Sequence, residues 1–155
     1  MFLRDARPDE AGRLTELALR SKRAWGYDDA FMERVMPDMI VHPSYLDDEH
    51  GIVAEEDGIP IGYTIVRVDG ETAFMRDLFV EPDRFRTGIG EALFQAAVAF
   101  ARENGALRLE LYGDPNAIGF YERMGMCQTG SEPSNVGGGR MLPIMTLELR
   151  TRDPH

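Results

Sequence analysis

Cysteine is almost missing from this sequence, because Cys127 is the only one among 155 residues. A single cysteine excludes a disulfide within the chain and allows a reducing compartment. We expect Cys127 to be a small buried apolar residue rather than a nucleophile. The three histidines do not stand at ligand spacing from Cys127, so the sequence predicts no metal site.

Long apolar runs and an excess of positive charge are missing as well. No run reaches the length that spans a membrane, and the N-terminus lacks the apolar segment of a secretory signal. We therefore expect a cytoplasmic protein with no membrane partner. The formal net charge of −10 argues against a nucleic-acid partner and favours cationic partners such as amines.

The chain does contain enough apolar sequence for one core. Apolar residues make up 43% of the 155 residues, and there is no repeat, long linker or low-complexity tract. These features predict a single domain over residues 1–155.

Local patterns predict an α/β fold with a mixed, mostly antiparallel sheet. Strands are expected at residues 2–6, 51–55, 60–68, 72–80, 107–111, 126–129 and about 142–149. Helices are expected at residues 8–22, 28–36, from Gly90 to about 103, and from about 114 to 125. A strand, a helix and a further strand in succession predict a parallel strand pair. Ser131 to Arg140 reads as a mobile loop or a plain hairpin connection.

The most informative segment runs from Leu78 to Phe94 and predicts a strand, a glycine turn with arginines, and a helix. The first N–H groups of a helix lack partners and bind anions, and Gly88 and Gly90 leave the backbone open to a ligand. A P-loop would need Lys-Ser/Thr after the last glycine, and a dinucleotide fingerprint would need glycine in place of Leu93. The segment therefore predicts a phosphate cradle of another kind, with a merely solvated turn as the alternative.

A second informative segment lies about thirty residues further on, at residues 116–125. Together with the segment at residues 78–94, it resembles the GCN5-related N-acetyltransferase (GNAT) superfamily, and the resemblance extends over residues 51–127. The family loop usually reads Gln/Arg-x-x-Gly-x-Gly/Ala, whereas Phe85 holds the first place here and Arg84 and Arg86 flank it. The resemblance implies a GNAT-type acyl-CoA N-acyltransferase fold, acetyl-CoA as cosubstrate without a metal, and a small-molecule or peptide amine as acceptor.

The resemblance also implies which residues hold the cofactor. The end of the strand at residues 78–80 is similar to the family's bulged strand, whose main-chain amides pair with pantetheine and polarise the thioester carbonyl. Asn116 would hold a pantetheine amide, although it also suits the N-cap of its helix. The full set implied for the cofactor is Leu78, Phe79, Val80, Phe85, Arg86, Thr87, Gly88, Ile89, Gly90, Glu91, Asn116, Phe120, Tyr121 and Arg123.

Two residues are the catalytic candidates. Tyr121 matches the family's general acid, because a phenol with a pKa of about 10 can protonate a leaving thiolate; alternatively it only packs its helix onto the sheet. Asp77 is the first choice for the base that deprotonates the amine, although strand alternation allows Arg76 to face the acceptor instead. The other candidates for the base are Glu81, Glu110, Asp114, His42, His50 and a water chain.

Acceptor recognition is expected from the segment between the first two helices. Trp25 and Tyr27 are candidates for an aromatic wall that holds a cationic acceptor, or they anchor the turn between helices. The sequence thus predicts acetyl-CoA-dependent N-acetylation of an unidentified amine. A CoA-binding sensor with the same fold is the alternative, and a transferase of longer acyl groups or to oxygen acceptors is a third. A homodimer through the late strands, including residues 143–147, is a further expectation.

Overall fold

The structure is a computed structural model that describes residues 1–149 and shows a seven-stranded sheet with helices on both faces. The strands are β1 (Phe2–Asp5), β2 (His50–Glu56), β3 (Ile59–Asp69), β4 (Thr72–Val80), β5 (Arg108–Tyr112), β6 (Cys127–Pro133) and β7 (Met141–Glu148). The helices are α1 (Ala11–Arg23), α2 (Asp29–Met39), α3 (Pro43–Asp48), α4 (Ile89–Glu103) and α5 (Ile118–Arg123). Residues 150–155 of the expected single domain lie outside the described residues.

The sheet order is β1-β2-β3-β4-β5-β7-β6, and all neighbours run antiparallel except β4 and β5. This confirms the expected mixed sheet and the parallel pair that α4 connects. β4 and β5 pair only where Thr72–Phe74 meets Arg108–Glu110. Beyond that point the two strands no longer pair with each other, although β4 continues to Val80 and β5 to Tyr112. The sheet therefore splits there.

The split sheet carries an apolar core on each face. Helices α4 and α5 cover one face, where Phe94, Leu109 and Met145 are fully buried. Helices α1, α2 and α3 cover the other face, where Leu14 of α1 and Ile65 of β3 are buried in one apolar cluster. Each such side chain contributes about 1.5–3 kcal/mol by burial. The two cores therefore hold the separated ends of β4 and β5 in fixed positions.

A bulge at Arg76 reverses the face that β4 presents. Val66 pairs with Met75 and Ile65 pairs with Asp77, so Arg76 is an extra residue on β4. Met75 packs in the core under α4 and α5, whereas Asp77 stands opposite Ile65 in the core under α1, α2 and α3. Without the extra residue, Met75 and Asp77 would share one face of the sheet.

Three local expectations are corrected in the first half of the chain. The bulge lies at Arg76, before the expected residues 78–80, because a bulge is set by pairing with β3 and leaves no local pattern. Helix α3 occupies residues that were expected to be loop, since six residues are too few to show helical periodicity. Helix α2 passes Pro37 and ends at Met39, because the buried Met39 side chain holds the last turn against the core.

Two further corrections concern the C-terminal part. β6 extends to Pro133, so the connection to β7 is only residues 134–140. Cys127 is exposed rather than buried, because β6 is an edge strand whose residues are all exposed. β7 lies between β5 and β6, so any pairing of two copies through this sheet edge would use β6.

Candidate active site

The split between β4 and β5 opens into a cavity of about 1090 Å³, a size that suits a small-molecule ligand. The predicted site residues on its wall are Trp25, Asp77, Leu78, Phe79, Val80, Phe85, Arg86, Gly88, Gly90, Glu91, Asn116, Phe120, Tyr121 and Arg123. Three predicted residues are not on the wall. The Tyr27 hydroxyl bonds to Asp114, the Thr87 hydroxyl donates to the Arg84 carbonyl, and Ile89 packs in an apolar cluster.

The turn before α4 leaves the first N–H groups of the helix free. The Ala92 N–H is the first to bond within the helix, to the Gly88 carbonyl at 3.0 Å, and no side chain caps the helix. Among residues 1–149, the N–H groups of Ile89, Gly90 and Glu91 have no partner. They lie at the positive end of the helix dipole, so this turn is built to bind an anion such as a phosphate.

Two residues of this turn have left-handed backbone angles. Gly88 has a φ of 87°, and Arg86, which is not glycine, has a φ of 63°. Left-handed residues turn successive N–H groups toward one side and form an anion-binding concavity, and such strain in a non-glycine residue is concentrated at functional sites. A Cβ on Gly88 would meet no atom within 4 Å, so the backbone angle itself favours glycine there. A Cβ on Gly90 would lie 3.3 Å from the Phe120 ring.

The two arginines beside the glycines differ in their partners. Arg84 pairs with Glu56, with 2.6 Å between Nη2 and Oε1, so its charge is already balanced. Arg86 is exposed on the cavity wall and forms no ion pair within residues 1–149. Arg86 is therefore the arginine available to an anionic ligand in the cradle.

Trp25 lies beside the cradle instead of sharing a wall with Tyr27. Its ring stacks on Phe85 with 6.1 Å between ring centroids, and both rings are exposed. Arg20 of α1 holds this arrangement by a two-pronged pair with Glu81, just after β4, at 2.7 and 2.9 Å. The structure thus brings Trp25 to the turn before α4.

A polar network surrounds Asp114, just after β5. Lys22 Nζ lies 2.6 Å from Asp114 Oδ2, and Arg140 Nη2 lies 3.3 Å from the same oxygen. The Tyr27 hydroxyl donates to Asp114 and accepts from Asn116 and Arg140. Asp114 also accepts from the Asn116 N–H, so Asp114 rather than Asn116 caps this helical turn. The network joins α1, the turn after β5 and the loop before β7.

Tyr121 is buried at the split, with its ring between aromatic neighbours. The ring lies at 6.4 Å from Phe94 and 5.3 Å from Phe120, measured between centroids. Burial raises the pKa of Tyr121 above its usual value, and the negative charges of Asp114 and Asp77 raise it further. The phenol therefore stays protonated at neutral pH and is a weaker acid than a free tyrosine.

Asp77 reaches the cavity from the opposite face. The Tyr63 hydroxyl donates to its carboxylate at 3.0 Å. Burial raises the pKa of Asp77 to about 6, and the hydrogen bond from Tyr63 and the charge of Arg76 oppose the rise. Arg76 also lines the cavity, but its charge is balanced by Glu49 at 2.7 Å. The cavity wall therefore includes both Arg76, whose charge is already balanced, and Asp77.

The other base candidates are less suited to proton removal. Glu81 is paired with Arg20. Burial opposes ionisation of Asp114, yet Lys22 and several hydrogen bonds hold its pKa below the usual value, so it is a weak base. His42 and His50 pack against Tyr45 and Phe100 and are not on the cavity wall. Glu110 does line the cavity and stays a candidate.

Sequence reasoning did not select the two basic residues of the network, Lys22 and Arg140. They are separated from Asp114 by 92 and 26 positions, and no local motif marks such contacts.

Within residues 1–149, no helix is long and apolar enough to cross a membrane. Across the same residues, no group of three His, Cys, Asp or Glu side chains is arranged to hold a metal ion.

Comparison with known proteins agrees with the geometry of the split sheet. Residues 13–126 match the model of the acetyltransferase (GNAT) family. The chain belongs to the GNAT family. Over 128 residues it is 32% identical to the peptidyl-lysine N-acetyltransferase YiaC of Escherichia coli. The aligned region covers 80% of this chain and 82% of that protein. The chain spans 58%, 39% and 40% of the length of three other curated relatives.

Solved GNAT structures share the fold. A GCN5-related N-acetyltransferase of Rhodopseudomonas palustris superposes with a TM-score of 0.79 at 22% identity, over 95% of this chain and 94% of that one. The PaiA N-acetyltransferase of Thermoplasma acidophilum, solved in complex with coenzyme A, gives a TM-score of 0.74 at 19% identity, over 95% and 98%. These likenesses establish the GNAT fold.

Proposed function

We propose that this GNAT chain transfers an acetyl group from acetyl-CoA to the primary amine of a small molecule or peptide, by direct attack within a ternary complex. The observation that carries the proposal is the placement of Asp77 and Tyr121, which approach the split between β4 and β5 from opposite faces of the sheet. One group suits proton removal and the other proton donation. Both proton transfers accelerate the aminolysis of a thioester.

The cavity fits the parts of acetyl-CoA. The free N–H groups at the start of α4 and the exposed Arg86 would bind the pyrophosphate. Past Phe74, β4 pairs with no strand on its β5 side in the described part of the chain, so the main chain of residues 78–80 is open to pair with pantetheine. Asn116, Phe120 and Arg123 line the other side of the cleft. When bound there, acetyl-CoA would supply an activated acetyl thioester.

The two catalytic groups would balance the protons of the reaction. Asp77 takes one proton from the acceptor ammonium and passes it to solvent. The neutral nitrogen then forms a C–N bond to the acetyl carbon, and the C–S bond breaks. Tyr121 gives its phenolic proton to the departing sulfur and regains one from the nitrogen. Holding the reactants in line would contribute about 7–11 kcal/mol to the acceleration.

The relatives support an amine acceptor. YiaC is named as a peptidyl-lysine N-acetyltransferase, and the lysine side chain is a primary amine. The PaiA structure holds coenzyme A, which supports acetyl-CoA as the cosubstrate. We expect the reaction to occur in the cytoplasm.

The proposal is tested by calorimetric titration with acetyl-CoA, followed by thiol release with a panel of small amines, amino acids and peptides. Tight binding with amine-dependent thiol release is expected. Binding without release from any amine would favour the CoA-sensor alternative. Absence of binding would overturn the cradle and the proposal together.

The Tyr121→Phe variant separates catalysis from binding. We expect its turnover to fall by about 10²–10⁴, because the sulfur loses its proton donor. Its affinity for acetyl-CoA should stay close to the wild-type value, since the ring keeps its packing against Phe94 and Phe120. Unchanged turnover would remove Tyr121 from the mechanism.

A further inference from the structure

Tyr63 of β3 is a completely buried tyrosine that ends at the candidate base. Its side chain has 0% relative exposure, lies in the core under α1, α2 and α3, and packs against Phe79 at 6.0 Å between ring centroids. A buried hydroxyl must find a partner, and the Asp77 carboxylate accepts its hydrogen bond at 3.0 Å.

The strand register explains why this contact forms. Ile65 pairs directly with Asp77, and Tyr63 stands two residues before Ile65, on the same face of β3. Tyr63 and Asp77 are therefore diagonal neighbours, a separation that only a long side chain such as tyrosine can bridge. The contact depends on the bulge at Arg76, because that bulge turns Asp77 toward this face.

A second bond fixes the main chain of the same aspartate. The Thr64 hydroxyl, also completely buried, donates to the Asp77 carbonyl at 2.8 Å. Adjacent residues of β3 thus hold the carboxylate and the backbone of Asp77 separately, at the point where β4 leaves its regular register.

We propose that Tyr63 is a positioning residue for the base: its hydroxyl orients the Asp77 carboxylate toward the acceptor amine and, as a hydrogen-bond donor, favours the ionised form of that carboxylate. The inference rests on the proposed function, since it takes Asp77 as the group that deprotonates the amine. Tyr63 itself is buried beneath the helices and does not line the cavity, so it acts only through Asp77.

The charged and titratable groups around Asp77 come from four elements. Arg76 precedes it on β4 and favours its ionised form, whereas Glu49, just after α3, opposes ionisation. Tyr63 stands on β3, and Tyr121 of α5 senses the charge of Asp77 across the split. Since Arg76 is paired with Glu49, the Tyr63 hydroxyl is the group that hydrogen-bonds the Asp77 carboxylate within residues 1–149.

The test is the carboxyl titration of Asp77 in the Tyr63→Phe variant, which keeps the ring and removes only the donor. Side-chain ¹³C NMR of the full chain, with the signal assigned through Asp77→Asn, follows this titration without any substrate. The midpoint should rise by about one pH unit, because a hydrogen bond to a charged group is lost. Thr64→Val is the matched control: it removes the bond to the Asp77 carbonyl and should leave the midpoint near the wild-type value.

The rate profile gives the second measurement, with the most active amine of the panel as acceptor. In Tyr63→Phe the acid limb of the kcat/KM profile should shift to higher pH by the same amount as the NMR midpoint. The loss of kcat/KM relative to the wild type should then be about five-fold larger at pH 6 than at pH 8. A merely structural role would lower the rate equally at all pH values.

The outcomes separate this inference from the proposed function. An unchanged midpoint in Tyr63→Phe overturns the inference, whether or not acetyl transfer occurs. A shifted midpoint with an unmoved acid limb also overturns it, because Asp77 is then not the base, while amine-dependent thiol release still stands. Absence of thiol release from the wild type removes the proposed function itself.

Discussion

Asp77 is a residue whose proposed role conflicts with stability. Burial raises the pKa of its carboxyl to about 6 in the folded chain, against about 3.9 for an unfolded aspartate. Between these values the folded state binds more protons than the unfolded state. The free energy of unfolding therefore falls as the pH rises from about 4 to about 6, and the full cost persists above that range.

The Asp77→Asn variant should consequently be more stable and less active than the wild type. At pH 7 we expect its free energy of unfolding to rise by about 1–3 kcal/mol, since a buried charge is removed while an acceptor for Tyr63 remains. The gain should vanish below about pH 4, where the wild-type carboxyl is protonated in both states. Urea unfolding at pH 7 and pH 3.5 measures both values; a variant less stable than wild type at pH 7 would contradict the pKa of Asp77.

At the scale of elements, the cradle depends on a backbone angle that glycine adopts without strain. Gly88→Ala should lower the free energy of unfolding by about 1–2 kcal/mol, because φ is 87° there, and should weaken acetyl-CoA binding. Gly12→Ala is the matched control, since Gly12 lies in the exposed part of α1 and a methyl group added there would meet no atom within 4 Å. The free energy of unfolding of that variant should rise by about 0.5–1 kcal/mol, and its affinity for acetyl-CoA should not change. Equal affinity in both variants would sink the cradle assignment.

Helix α1 connects the two separated strands across the cleft. Its Arg20 pairs with Glu81 after β4, and its Lys22 pairs with Asp114 after β5. Asp114→Asn would leave Lys22 and Arg140 without their counter-charge in a largely buried place, and we expect it to cost about 3–5 kcal/mol at pH 7.

A surface pair provides the control for that variant. Asp29→Asn removes the partner of Arg23 at an exposed site and should cost less than about 1 kcal/mol. The folded-state pKa of Asp114 is lowered, so its contribution is present above about pH 4 and fades as the pH falls through the folded value. Denaturant unfolding at pH 7 and pH 3 should show this convergence; equal costs for the two variants would exclude a structural role of the network.

Elements with strong local patterns were predictable from the sequence, and contacts between distant segments were not. β4 was expected at residues 72–80 and occupies Thr72–Val80, because alternating apolar residues and the turns at both ends mark it. The bulge at Arg76 depends on how β4 pairs with β3, and the Lys22–Asp114 pair depends on where α1 crosses the sheet. Such features come from tertiary packing, so the sequence left the base ambiguous, whereas the local pattern of residues 78–94 was enough to predict the cradle.

On the scale of the whole molecule, ligand binding should stabilise the fold, because the cavity lies between the two cores. At a concentration of acetyl-CoA 100 times its Kd, mass action contributes about 2.7 kcal/mol, which corresponds to a rise of roughly 5–11 °C in Tm for a domain of this size. The single tryptophan, Trp25, stacks on Phe85 at the cradle, so its fluorescence should change over the same concentration range. A Tm that does not respond to acetyl-CoA would argue against this cavity as the cofactor site.

The exposed position of Cys127 has a practical consequence for every such measurement. It is the sole thiol of the chain, it stands on the edge strand β6, and it does not line the cavity. A maleimide dye or spin label would therefore attach at one defined point without blocking the cleft. The same thiol will react with a disulfide reagent that counts released CoA, adding up to one equivalent per enzyme, so single-turnover experiments need Cys127→Ser or a prior block of this side chain.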